Sequence, residues 1–390
     1  MRLLPVVALA AGLLTVPSTA VADAHHTVRF ATFNASLNRG AAGQLVTDLS
    51  TPDNAQAREV AEVIQRNRPD VLLINEFDYA PQAANLFRDN YLERGQNGAR
   101  PIDYPYAFIA PSNTGVQTGF DLDRDGRTTG NDAHGFGLFE GQYGMLVLSK
   151  YPIDTRKART FQNFLWKDMP NAMLPDDPAT PAPHDWYSLE MLNVLRLPSK
   201  SHWDLPIAIG RETVHFLVSH PTPPTFDGPE DRNGTRNNDE IRFWADYTTP
   251  GRGRYIYDDK GRRGGLNASA KFVVAGDNNS DPLDGDSVPG AINQLLHAPR
   301  VIETRPGSAG GVLAAQQQGG ANTTHKGNPY FDTADFNDTA PGNLRVDYVL
   351  PSKGIVPVRG AVYWPTDELA RLNDASDHHL VWEDLFVSRR

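Results

Sequence analysis

KFVVAGDNN, residues 271 to 279, is a short apolar run that stops on an acid and two amides. A continuous apolar stretch of this length reads as a strand buried on both faces. Its polar end by itself is an ordinary turn. The same arrangement recurs along the chain, however: TVRFATF (27–33) runs into Asn34, VLLINEF (71–77) delivers Glu76, and TVHFLVSH (213–220) ends on His220. LRVDYVLPS (344–352) holds Asp347, and Asp377 with His378 stands just before HLVWEDLFV (379–387). GMLVLSKYPI (144–153) is a further apolar strand.

Between Asn54 and Arg68, Ala57, Val60, Ala61 and Ile64 recur at helical spacing, and Arg68-Pro69-Asp70 ends the helix. Another helix is expected to begin near Asn238, with Ile241 and Trp244 facing the core. Strands interspersed with a few helices predict an α/β (α+β) domain with two packed sheets. One domain spans residues 25–390, with loop insertions at about 80–143, 154–210 and 280–343.

Residues 1–24 have the order of a secretory signal peptide: an early Arg2, an apolar run, then small residues up to Ala24, near which cleavage is expected. The run is too short for an anchor, and no later stretch approaches the ~20 apolar residues of a spanning helix. The expected product is a secreted, soluble monomer without a stable membrane anchor. The chain has no cysteine, which excludes disulfides, thiolate nucleophiles and Cys-ligated zinc. Its net charge of -10 removes the general attraction to phosphate on which nucleic-acid binders rely, so nucleic acid enters only as a substrate.

The polar strand ends suit phosphoester hydrolysis. That reaction needs a cation against developing charge, a carboxylate to orient or deprotonate water, and donors for the phosphoryl and leaving oxygens. Oxygen ligands such as Glu76 and Asn34 suit Mg²⁺, Mn²⁺ or Ca²⁺ better than zinc.

With ATFNAS around Asn34, INEF around Glu76, YGMLVLSKYPI from Tyr143, SHPTPP around His220, AGDNN around Asp277, RVDYVL around Asp347 and SDHH from Ser376, the chain resembles the endonuclease/exonuclease/phosphatase superfamily. The motifs run in family order across nearly the whole chain. The resemblance implies a four-layer sandwich, two mixed sheets face to face with helices outside, and a site at one edge where strand ends gather. It implies that Glu76 and Asn34 hold a divalent cation, with Asp377 joining through water. Asp277 would activate the attacking water and Asn279 would bond the phosphate or nucleophile. His378 would contact the scissile phosphate with Asp347 behind it, and His220 would serve as phosphate ligand or general acid. Met145 stands where relatives often carry a small or amide residue, and Tyr143 or Gln142 could substitute.

DLDRDGRTTGND, residues 121–132, approaches the EF-hand calcium pattern: Asp121, Asp123, Asp125 and Asp132 at loop positions for ligands, Gly126 at the sharp turn, and Arg127 offering its carbonyl. A structural Ca²⁺ is expected there; the competing reading is a solvated acidic turn. Arg232 and Arg236 either reach substrate phosphate or are solvated loop charges, and His134, Trp166, Trp203, His325 and Lys326 are equally ambiguous. The leading expectation is a secreted metal-dependent phosphoesterase acting on mono- or diesters. Competing readings are a secreted non-specific nuclease, a sphingomyelinase-like diesterase, and a non-catalytic calcium-dependent binding module of the same fold.

Overall fold

A computed structural model describes residues 27–387. The expected signal peptide lies outside the described residues. In chain order the strands are β1 (Thr27–Asn34), β2 (Val71–Asn75), β3 (Tyr106–Phe108), β4 (Met145–Ser149), β5 (Arg159–Thr160), β6 (His202–Ile209), β7 (Glu212–Ser219), β8 (Lys271–Asp277), β9 (Ala334–Asp335), β10 (Asn343–Leu344), β11 (Asp347–Pro351), β12 (Val356–Val362) and β13 (Val381–Phe386). One sheet has the order β12-β13-β1-β2-β4-β3 and the other β11-β8-β7-β6-β5; β9 and β10 form a small ribbon.

Each sheet is mixed. In the first, β1 and β2 are parallel and the remaining pairs antiparallel; in the second, β7 and β8 are the parallel pair. Alternation along the strands sorts side chains into layers. Val28 and Phe30 of β1, Leu73 of β2 and Val147 of β4 meet Leu205, Phe216, Val273 and Val349 of the second sheet in an inter-sheet core. The opposite face of the first sheet, with Phe33, Leu72, Ile74 and Leu146, packs on Val60 and Ile64 of the helix Ala55–Asn67 and on Phe87. Outside the second sheet, Leu217, Val274 and Leu350 pack on Ile241 and Trp244 of the helix Arg232–Thr248. These four layers are the expected sandwich.

The structure amends the sequence reading in three places. Residues 202–209, assigned to an insertion, are β6, which pairs with β7 along its whole length. His202, Asp204 and Pro206 hide its strand pattern, yet His202 and Asp204 are buried and hydrogen-bonded. The helix expected near Asn238 begins at Arg232. Trp166 and Trp203, weighed as pocket residues, are core: Trp166 donates to Asp239 at 2.8 Å, and Trp203 packs between the sheets.

Candidate active site

Because β1 runs parallel to β2, and β7 to β8, all four strands can end at one edge of the sandwich. Asn34 and Asn75 are register partners, and Asp347 of β11 pairs with Asp277 of β8. Asn75 joins the two sheets, its Oδ1 accepting the Asp277 N–H at 3.2 Å and its Nδ2 donating to Ser219 O at 3.5 Å. The strand ends approach closely at Gly276, where a Cβ would lie 2.1 Å from Ser219 O.

Asp277 is the hub. Its Oδ2 lies 3.3 Å from His220 Nε2 and 3.6 Å from His378 Nε2, and it accepts from Asn34 Nδ2 at 3.2 Å. Its Oδ1 accepts the Asn279 N–H at 2.8 Å. Burial pushes this carboxyl up, but the charge of His378 and the hydrogen bond and charge of His220 outweigh it and hold Asp277 well below the usual carboxylate range. It is a desolvated carboxylate held in its ionised form.

His378 Nδ1 is 2.8 Å from Asp347 Oδ2, which also accepts from Thr333 Oγ1 at 2.8 Å. Burial pushes the imidazole down, yet the carboxylates of Asp347 and Asp277 raise it well above its ordinary value. These charges favour the imidazolium, whose Nδ1 faces Asp347 and whose Nε2 faces Asp277. His220 is buried, and its Nδ1 has no partner among the described residues.

Glu76 follows β2 in the left-handed region at φ 58°, as do Tyr143 at φ 55° and Asn279 at φ 50°. Each such non-glycine conformation costs on the order of 1–3 kcal/mol and persists only where its surroundings impose it. The surroundings here are explicit. Asn34 Nδ2 and Asn38 Nδ2 donate to Glu76 at 3.2 and 2.8 Å, and Asp78 accepts the Tyr143 N–H at 3.1 Å and the Arg39 N–H at 2.9 Å. Asn34 Nδ2 thus faces carboxylate oxygens of both Glu76 and Asp277. Two acids converging on one amide concentrate negative charge among hard oxygen donors, which fits a divalent cation. Asp377 is exposed and joins this edge through Ser36, whose Oγ donates to it at 3.3 Å while its N–H bonds Asn34 Oδ1 at 3.3 Å.

A cavity of about 490 Å³ opens beside these groups, lined by Glu76, Tyr143 and His220 together with Phe136, Lys200 and Phe226. Tyr143 therefore stands on the cavity wall. Met145 points into the inter-sheet core, and Gln142 is a loop strut that donates to Arg39 O and accepts from Leu138 N, both at 2.7 Å. Arg232 and Arg236 also line the cavity but are engaged. Arg232 is ion-paired with Glu230. Arg236 is buried and donates to the carbonyls of Leu197, His134 and Arg196, so it is a wall strut and not a solvated loop charge.

Three further residues were not legible in the sequence. Glu240 accepts from Ser199 N at 2.7 Å, Ser199 Oγ at 3.1 Å and Thr222 N at 2.7 Å. Asn237 Nδ2 donates to Thr222 O and Asn278 O at 2.8 and 2.9 Å. One helix face thereby carries the loops after β7 and β8 and the loop before β6. The third, Lys200, is nearly buried within that last loop. A polar helix face was the available signal, but it was indistinguishable from a solvated one.

The 121–132 loop brings carboxylate oxygens of Asp121, Asp123 and Asp132 within 4.8 Å of one another; Asp125 is not among them. Asp125 accepts its own loop's Arg127 N–H at 2.7 Å, and buried Asp132 accepts from Leu122 N and Thr129 N, each at 2.7 Å. His325 bonds Pro341 O at 2.8 Å, away from the hub.

Comparison with known proteins places this strand-end cluster and four-layer sandwich in a family. The profile of the Endonuclease/Exonuclease/phosphatase family matches residues 31–378, and the chain belongs to that family, whose members generally hydrolyse phosphoesters with a divalent metal. Among solved structures, an endonuclease/exonuclease/phosphatase from Beutenbergia cavernae is similar at TM-score 0.51 and 16% identity, covering 93% of this chain and 72% of its own. Sphingomyelinase C from Streptomyces griseocarneus is similar at TM-score 0.49 and 16% identity, over 92% and 99%. A beta toxin from Staphylococcus aureus with bound magnesium ions is similar at TM-score 0.44 and 13% identity, also over 92% and 99%. A search of curated proteins gives no match.

Proposed function

We propose that this chain is a metal-dependent phosphoesterase that hydrolyses small phosphate esters by attack of water on phosphorus. The observation that carries the reading is Asp277 Oδ2 standing 3.3 and 3.6 Å from the Nε2 atoms of two buried histidines. A water held by the ionised Asp277 has its proton acceptor in place. The His378 imidazolium, oriented by Asp347, donates to a phosphoryl oxygen as charge develops. His220, at the cavity wall, protonates the leaving oxygen. Glu76 and Asn34 would hold a divalent cation, Mg²⁺ or Mn²⁺ by their hard oxygen donors, which when bound neutralises phosphoryl charge.

The test is hydrolysis of nitrophenyl phosphate, bis-nitrophenyl phosphate and plasmid DNA by purified protein and by His378→Ala, with and without chelator. Chelator-sensitive cleavage of the small esters, lost in the variant, is expected. DNA cleavage far above both small esters makes the protein a nuclease instead. Equal activity of variant and parent removes the assignment of the site, and inactivity with Mg²⁺, Mn²⁺ and Ca²⁺ removes the enzyme reading.

Two further elements belong to this proposal. Export rests on the N-terminal run up to Ala24, and mass measurement of protein recovered from culture medium tests cleavage there. A structural Ca²⁺ in the 121–132 loop rests on its three convergent carboxylates.

A further inference from the structure

We infer that Lys200 recognises the second negative charge of a phosphomonoester, so that the cavity selects monoesters over diesters. The inference rests on the phosphoesterase reading and names its substrate class. Lys200 is 6% exposed and lines the cavity beside Glu76 and His220. Among the described residues no carboxylate lies within ion-pair distance of its Nζ. The acids whose charges bear on it are Glu240, Glu76 and Asp277. All three are already engaged: Glu240 by Ser199 and Thr222, Glu76 by Asn34 and Asn38, and Asp277 by Asn34 and the histidines. These acids keep their charge and favour the ammonium from a distance, but none contacts it, so its own donors are open to an anion in the cavity.

Its position is imposed, since Glu240 holds the preceding residue and Lys200 O accepts the Asn113 N–H at 2.8 Å. The other cations on the wall are spent, Arg232 on Glu230 and Arg236 on three carbonyls. Lys200 is thus the cavity cation with donors to spare. A diester phosphate carries a single negative charge, which the site at Asp277 and its histidines already addresses. A monoester dianion brings one more, for which a compact ammonium with three donors is suited. Phe136, Tyr143 and Phe226 give the alcohol portion apolar walls.

The experiment compares wild type, Lys200→Met and Lys200→Arg on nitrophenyl phosphate and bis-nitrophenyl phosphate, with inorganic phosphate binding measured by calorimetry and by thermal melting with and without phosphate. Lys200→Met is expected to lower the monoester-to-diester ratio of kcat/KM and to weaken phosphate binding, each roughly 10–100-fold, the scale of one charge-assisted hydrogen bond. Inorganic phosphate should raise the melting temperature of wild type and not that of Lys200→Met. Lys200→Arg should retain most of the preference. Equal loss on both esters, unchanged phosphate binding, or an equal rise in melting temperature with phosphate in wild type and Lys200→Met overturns the inference. Hydrolysis of neither ester by wild type counts against the phosphoesterase reading alone, and phosphate binding then still decides the role of Lys200.

Discussion

Asn75 Oδ1 accepts the backbone N–H of Asp277 at 3.2 Å, linking the last residue of β2 in one sheet to the last residue of β8 in the other. The general base of the proposed reaction is therefore placed by a side chain from the opposite sheet. Asn75→Ala leaves the Asp277 N–H buried without a partner, a cost of about 1–3 kcal/mol. Denaturant unfolding should show that loss, and kcat should fall with it while KM changes less, because the reacting geometry loosens more than the cavity does.

Replacing His378 by Ala removes the cationic donor on the phosphoryl group, and kcat is expected to fall about 10²–10⁴-fold, the usual scale of acid–base assistance. Asp347→Asn should reduce kcat through the same group, since a neutral amide no longer holds the imidazolium. A steady-state comparison in which Asp347→Asn adds nothing to His378→Ala would show that the two act as one unit.

Chelation should abolish ester hydrolysis, and Mg²⁺ or Mn²⁺ should restore it. In Glu76→Gln the metal concentration giving half-maximal activity should rise, because a ligand charge is lost from the edge where Asn34 faces both Glu76 and Asp277. Separately, Ca²⁺ should raise the melting temperature of the parent but not of a protein carrying Asp121→Asn with Asp123→Asn. Identical melting of both proteins with and without Ca²⁺ would leave the loop an acidic turn tied by its own backbone.

Burial, with the charges of Asp281 and Asp284 added, pushes the Asp332 carboxyl from 3.8 up to about 8. The folded chain keeps a proton that the unfolded chain releases near 3.8. The stability tied to that proton is complete below about pH 4 and is lost as pH rises through about 8. Melting temperature should thus decline across this window, and Asp332→Asn should flatten the decline. A parallel slope in both proteins would contradict the assignment.

Glu240→Ala severs the anchors of Ser199 and Thr222 together. With charge-assisted hydrogen bonds at about 1.5–3 kcal/mol each, it should be among the more destabilising single changes in the helix Arg232–Thr248. Urea midpoints compared with those of an Asn233→Ala control at the helix start will show whether the penalty belongs to those anchors.

Asn34, Glu76, His220 and Asp277 were legible because each stands where an apolar run stops, and Asp347 and His378 because each lies within or just before one; a run such as VLLIN has one compatible environment, a strand covered on both faces. β6 was not legible. Its buried polar residues are satisfied by distant partners, as Asp204 is by Tyr247 OH at 2.6 Å, and sequence periodicity carries no record of such pairing. Lys200, Asn75 and Glu240 share that difficulty. Arg236 differs: its charge was visible, but the carbonyls that engage it belong to residues 134, 196 and 197, so its place in the wall follows from tertiary contact alone.

The aromatic rim of the cavity, Phe136 and Phe226, sits on connecting segments outside both sheets, whereas Asp277, His220 and Lys200 hang from strands and one helix face. On the proposed reading, selectivity for the alcohol and competence for the phosphoryl group can accordingly drift apart under mutation. A library confined to positions 136 and 226 would, on the proposed reading, redirect the protein toward new leaving groups and leave the strand-end cluster untouched. One at residues 236–240 would mostly yield chains that no longer assemble it.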